Sequence, residues 1–156
     1  MNKTLVSVIA AIILLLCAII NAVLFAGCCK APEGLSALAT VLDGCNKKSE
    51  TTIMKGFSDI LSYSPSFSTC VTPDDYLQNI GISFDYMDEE GNVTEKFYII
   101  GTAPEDEEVA ELNSLSSYKT TEAYIAADYK DADGNTHTAM TTVTFTVNAG
   151  KIIYII

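Results

Sequence analysis

Between Lys3 and Lys30 the chain carries no charged residue, and Thr4 to Gly27 reads TLVSVIAAIILLLCAIINAVLFAG. An apolar helix of about 20 residues matches a hydrocarbon core of about 30 Å. Backbone groups in lipid must satisfy one another, so helix is the form such a run takes there. Asn21 is the strongly polar exception in its deep part. Lys3 precedes the run, and by the positive-inside rule it keeps the N-terminus cytoplasmic. The run therefore divides the chain at residues 1–29 and 30–156, and about 125 residues are left for one domain with a core of its own.

Three readings of the opening remain. A cleaved secretory signal has an apolar core of roughly 7–15 residues, shorter than this one. A lipoprotein signal is suggested by Leu24-Phe25-Ala26-Gly27-Cys28, where small residues precede a cysteine that makes Cys28 the candidate lipidation site. An uncleaved signal anchor is the reading that the length favours. All three place residues 30–156 outside the cytoplasm; the single-pass and lipid-anchored forms hold them at the cell membrane, with the bilayer as partner of residues 4–27 in the anchored form.

That location gives the cysteines meaning. Of five, Cys17 lies inside the apolar run and Cys28 and Cys29 at its edge, which leaves Cys45 and Cys70 to the domain. In an oxidising compartment these two are a candidate disulfide; two buried free thiols are the alternative. Charge narrows the partners. Twenty acidic against nine basic residues give a formal net charge of -11, a field that repels nucleic acid. A protein or a small apolar ligand is the partner class that remains.

Along the domain, Pro32-Glu33-Gly34 ends whatever helix precedes it. Leu35, Leu38, Val41, Leu42 and Cys45 then recur at helical spacing. Ser49 is placed to cap a second helix with Ile53, Phe57, Ile60 and Leu61 as its stripe. Thr72-Pro73-Asp74-Asp75 opens a third, short helix that Gly81 ends. After Gly81 the apolar period changes from 3.6 to 2. Ile82, Phe84 and Tyr86 alternate as a first strand, followed by strands at Val93–Ile100, Lys119–Tyr129, Thr136–Val147 and Lys151–Ile156. The acidic stretch Thr102–Ser117 interrupts them, with Val109 and Leu112 as expected buried contacts of a short helix. Thr142, Thr144 and Thr146 alternate with Val143, Phe145 and Val147, the pattern of an antiparallel sheet with one wet face. The closing strand Ile152–Ile156 is apolar on both faces, so it is expected to be central or covered. Asp85–Asn92 and Asp128–Asn135 share D-Y-x-D-x-(D/E)-G-N, which reads as two hairpins with one turn chemistry.

No catalytic motif emerges. His137 is the single histidine, so a zinc site built on histidines has no second ligand. Asp131-Ala132-Asp133-Gly134 fails the EF-hand template, because Tyr129 and Met140 stand where carboxylates are required. An irregular cation site from Asp128, Asp131 and Asp133 is the remaining metal reading. No G-x-S-x-G elbow and no phosphate-binding glycine loop occurs. The residues thus name no catalytic, cofactor or metal position and no cofactor.

Two or three helices followed by an antiparallel meander, closed by D-A-D-G-N and N-A-G-K-I-I, make Glu33–Ile156 resemble the cystatin-like/NTF2-like domains of many small bacterial lipoproteins and membrane-anchored proteins. The resemblance implies an α+β fold in which the helices pack on a curved five-stranded antiparallel sheet around an apolar pocket. It implies no catalytic residue, since that family includes enzymes and plain binding modules. A membrane-tethered binding or accessory module, not an enzyme, is the functional expectation. A type IV pilin-like filament subunit and an NTF2-like pocket enzyme are the alternatives. The pilin reading lacks its usual acid, since none lies between Met1 and Lys30.

Overall fold

The computed structural model describes residues 33–59 and 65–156. The expected membrane helix, Cys17, Cys28 and Cys29 lie outside the described residues, as do Ile60 and Leu61. Among the described residues no helix is long and apolar enough to cross a membrane. Residues Glu33–Ile156 form one compact unit.

Helix α1 spans Leu35–Asn46 and buries Ala37, Leu38, Val41, Leu42 and Cys45, the face that the periodicity marks. Helix α2 spans Glu50–Gly56, with the Ser49 hydroxyl accepting from the Thr52 amide. The two helices approach closely because two glycines allow it. A Cβ on Gly44 would meet Ile53 at 2.6 Å, and one on Gly56 would meet Val41 at 2.5 Å. Helix α2 is shorter than its apolar stripe suggests. Phe57 leaves the helix with extended backbone and forms a parallel bridge to Ile152. Helix α3, Pro73–Asn79, carries a complete capping box between Thr72 and Asp75.

The period-2 segment Ile82–Tyr86 is not a strand. Ile82 and Phe84 are buried, but Asp85–Asp88 closes into a 3₁₀ turn. Among the described residues the sheet therefore has four strands, where five are expected, in the order β1-β2-β3-β4. They are β1 (Val93–Thr102), β2 (Tyr118–Lys130), β3 (Thr136–Asn148) and β4 (Lys151–Ile155), each antiparallel to the next. Between β1 and β2 lies helix α4, Glu107–Leu115. Four α-helices thus stand among the described residues. The expected burial on α4 fails: it buries no residue, and Leu112 is 61% exposed.

One face of the sheet is dry. Phe97, Ala123, Ile125, Ala127, Val143, Phe145, Val147 and Ile152 meet Leu38, Leu42, Ile53 and Leu77 from the helices in one core. Of the two expectations for the closing strand, central or covered, the first fails: β4 is an edge strand. Its outer backbone is covered in part, since Ser58 donates its amide to the Ile152 carbonyl at 2.8 Å. The opposite edge, β1, is closed by a side chain. Asn46 Nδ2 donates to the Phe97 carbonyl at 2.9 Å, and the Phe97 amide donates to Asn46 Oδ1 at 2.8 Å. The amide of Asn46 thereby imitates a neighbouring strand, which satisfies both backbone groups and blunts the edge. Asn113 of α4 does the same where β2 overruns β1, bonding the Thr120 amide at 2.8 Å and carbonyl at 2.9 Å.

Candidate functional site

Two places on the domain hold side chains beyond what the fold requires. The first is a polar and aromatic array at one end of the inner face. Phe84 stacks on Phe97 with ring centres 5.9 Å apart, and Tyr86 follows Phe84 at 5.7 Å. Tyr86 lies parallel to Tyr129 at 3.9 Å, and Tyr129 tilts against His137 at 5.4 Å. The ladder leads from the core to the surface. The two tyrosines occupy the same position in the two D-Y-x-D-x-(D/E)-G-N segments, so the segments pack ring to ring.

Hydroxyls accompany the rings. Thr94, buried at the start of β1, donates to an Asp74 carboxylate oxygen. Its hydroxyl oxygen also bonds the Tyr86 phenol, and with the Thr94 proton committed to Asp74 the phenol is the donor. Burial pushes the half-buried Asp74 carboxyl above its ordinary value, against the opposing pull of the Thr94 bond. Burial likewise pushes the Tyr86 phenol up to about 12. Asp75, one residue on, goes the other way: the Thr72 and Val71 amides that it accepts hold its carboxyl low. Helix position alone thus accounts for Asp75, whereas Asp74 is set by its contact with β1.

At the outer end of the ladder, Asp131 accepts from His137 Nε2 at 2.8 Å, from Asn135 Nδ2 at 3.0 Å and from the amides of Asn135 and Asp133 at 2.8 and 3.0 Å. These bonds, the His137 one first, hold its carboxyl well below the usual range. Asp131 is the hub of the β2–β3 turn. Asp128 turns to the other sheet face, where it accepts from Thr138 at 2.7 Å and Tyr98 at 3.1 Å. The structure therefore does not gather Asp128, Asp131 and Asp133. Among the described residues no group of three or more such side chains is placed to hold a metal ion.

The second place is the open face of the sheet. In β2 and β3 the register is regular, and even-numbered residues point away from the helices. Ile100, Gly101, Tyr124, Met140, Thr141 and Thr142 line a shallow groove there of about 370 Å³. Met140 is 74% exposed, Ile100 51% and Tyr124 41%. Tyr118 shares the outward phase of Tyr124, and Tyr154 pairs with Thr146 on the same side. The threonine alternation announces this wet face. Met140 and Tyr124, in phase with those threonines, are the sequence signal that the face is not wholly polar.

Cys45 and Cys70 are both free thiols. Cys45 is fully buried in α1, and burial pushes its thiol up to about 12. Cys70 is partly exposed, donates to the Asp75 carbonyl at 3.5 Å and is raised by burial first and Asp75 second. Neither has the lowered pKa of a reactive cysteine.

No protein-family model matches this sequence, and no curated protein matches it. Among solved structures, the chain is similar to an NTF2-like protein of unknown function from Exiguobacterium sp. 255-15, at 22% identity and a TM-score of 0.41, over 78% of this chain and 93% of that one. The likeness is weak, and it is to the type of domain that the order of elements resembles; no residue role is carried over from it.

Proposed function

We propose that the chain is a membrane-tethered, extracytoplasmic module that acts by binding a protein surface through the open face of its sheet. The observation that carries this reading is the groove of Ile100, Tyr124 and Met140 on a face that no helix among the described residues covers. Small-molecule sites are concave and bury most of their ligand, whereas this groove is shallow and suits a broad partner. The tether rests on the uncharged run from Thr4 to Gly27. A Cys45–Cys70 bridge formed in such a compartment would close a loop that contains α2; in this structure both are free thiols.

Intact mass of the protein taken from membranes tests the tether. Full length, or a start at Cys28 carrying acyl mass, supports it; a shorter form without acyl mass contradicts it. Gel filtration of the detergent-extracted full chain tests the binding face. Met140→Lys is expected to release the chain from a larger complex, and an unchanged profile contradicts the reading.

The Asp74–Thr94–Tyr86 relay favours a second reading, acid–base work by Asp74. A carboxyl whose affinity for protons is raised by burial is suited to that task. Asp74→Asn abolishing a turnover assigned to the protein would establish it.

A further inference from the structure

We infer that α4 is a docking helix whose occupant is a basic, amphipathic helical segment of another protein, laid over Leu112 and Leu115. This surface is separate from the open sheet face and does not depend on what that face binds.

The fold holds α4 without using its outer side. Strand β1 ends at Thr102, opposite Ala123 of β2, so the start of β2 overhangs it. There Asn113 bonds the Thr120 backbone. Val109 and Asn113 are the half-buried residues of the helix. Polar bonds fix both ends. At the start, the Asp106 carboxylate accepts from the Val109 amide at 2.8 Å, and Glu105 accepts from the Asn113 side chain. At the end, the Lys119 ammonium donates to the Ser116 carbonyl at 2.9 Å and to that of Asn113. Acids suit a helix start and cations its end, which covers Glu107 and Glu108 of the first turn. Glu111, Leu112 and Leu115 are left without a part in the fold.

Those three form one patch. Residues three and four apart on a helix are neighbours. Leu112 and Leu115 are therefore adjacent, with Glu108 one turn before the first and Glu111 one turn before the second. Leu112 is 61% exposed and Leu115 80%. A single exposed leucine is ordinary. Two side by side, on a helix that buries no residue, are an apolar face without a partner.

Charge says what covers it. Five acids stand between Glu105 and Glu111, and no basic residue occurs from Phe97 to Tyr118. No ion pair among the described residues engages any of the five. Lys119, the next cation along the chain, is committed to the helix carbonyls. An anionic lipid surface, or the same helix of a second copy, would bring like charge against the leucines. A segment with lysine or arginine bordering its own apolar stripe brings opposite charge, and a helix laid on an apolar surface anchors at i, i+3 and i+4 spacing. The nine residues of α4 make about 14 Å of helix, so the contact belongs to the small, transient class. Attraction between unlike charges then sets its salt response.

Isothermal titration of the full chain, in a neutral detergent, with a synthetic helical peptide of leucine and lysine whose leucines share one face tests the inference. Binding is expected to be several-fold weaker at about 500 mM than at about 50 mM salt. Leu112→Ser combined with Leu115→Ser is expected to weaken it about ten-fold. Glu108→Gln combined with Glu111→Gln is expected to remove most of the salt dependence. Met140→Ser on the open sheet face is expected to leave the affinity unchanged. A peptide of the same composition with its leucines scattered around the helix is expected to bind about ten-fold more weakly. Circular dichroism of each variant checks that it is folded. No binding up to about 1 mM peptide overturns the inference, as does binding that the double leucine variant leaves intact. If Met140→Ser abolishes binding and the leucine variant keeps it, the peptide occupies the sheet face: the binding reading stands and this inference falls. Sedimentation equilibrium without peptide reads out a second copy, and a dimer lost in the leucine variant overturns the inference as well.

Discussion

The two faces of β2 differ by one residue step. Ile125 is fully buried against the helices, and Tyr124 beside it lines the open groove. Both are large and apolar, so hydrophobicity alone does not separate them. The inner face is filled by side chains of its own chain, and the outer face is left open among the described residues. Packing on the inner face is the source of stability; apolar area on the outer face contributes nothing until a partner removes it from water.

Substitutions sharpen that contrast. Phe145→Ala on the inner face removes a fully buried ring and is expected to destabilise the domain by about 3–5 kcal/mol. Met140→Ala on the outer face is expected to change stability by no more than about 0.5 kcal/mol. Chemical denaturation of both variants decides it, and comparable losses would erase the distinction.

The two asparagine clamps extend the comparison from faces to edges. Asn46 bonds Phe97 beside the core, and Asn113 bonds Thr120 under an exposed helix. Asn46→Ala leaves two strand groups unpaired away from water and is expected to cost about 2 kcal/mol. Asn113→Ala, where water replaces the lost bonds, is expected to cost about 1 kcal/mol or less. The same denaturation curves read both, and a larger loss for Asn113 would show that α4 is integral to the fold.

The smallest expected effect is in pH. Asp74 binds its proton more tightly folded than unfolded, since its carboxyl is raised above 3.8. Stability rises with pH only where the unfolded chain binds more protons. In the window just above 3.8 the folded chain binds more at Asp74, so this residue makes stability fall as pH rises. Asp75, held below 3.8 by amides, has the opposite sign, and its contribution is lost as pH falls through its folded value. Asp74→Asn keeps an acceptor for Thr94 and is expected to remove the falling component while leaving the loss in acid. Thermal midpoints between about pH 3 and 6 would show this; an unchanged profile would mean that burial does not perturb Asp74.

Much of this was legible from apolar spacing. The helical face of α1 and the inward phase of β3 follow directly from it, because burial imposes a period on sequence. Pairing imposes none, and there the reading failed. Ile82 and Phe84 alternate like a strand yet only tuck into the core before the Asp85–Asp88 turn. The two D-Y-x-D-x-(D/E)-G-N segments give glycines of similar left-handed φ, 89° at Gly91 and 84° at Gly134. The second joins two paired strands, and the first has no paired strand before it. The Asp74–Thr94 contact spans twenty residues and has no local signature at all. Leu112 shows the converse: helical spacing was present, but α4 meets too little of the fold to bury it.

Neighbouring positions 124 and 125 test the division between the faces most directly. Ile125→Lys places a charge in the dry core, and Tyr124→Lys places the same charge in the open groove. Equilibrium denaturation of the two full-length variants is predicted to show no cooperative folded state for Ile125→Lys and a transition within about 1 kcal/mol of the parent for Tyr124→Lys. Equal losses for the two would contradict the account, because they would mean that the outer face is also part of the core.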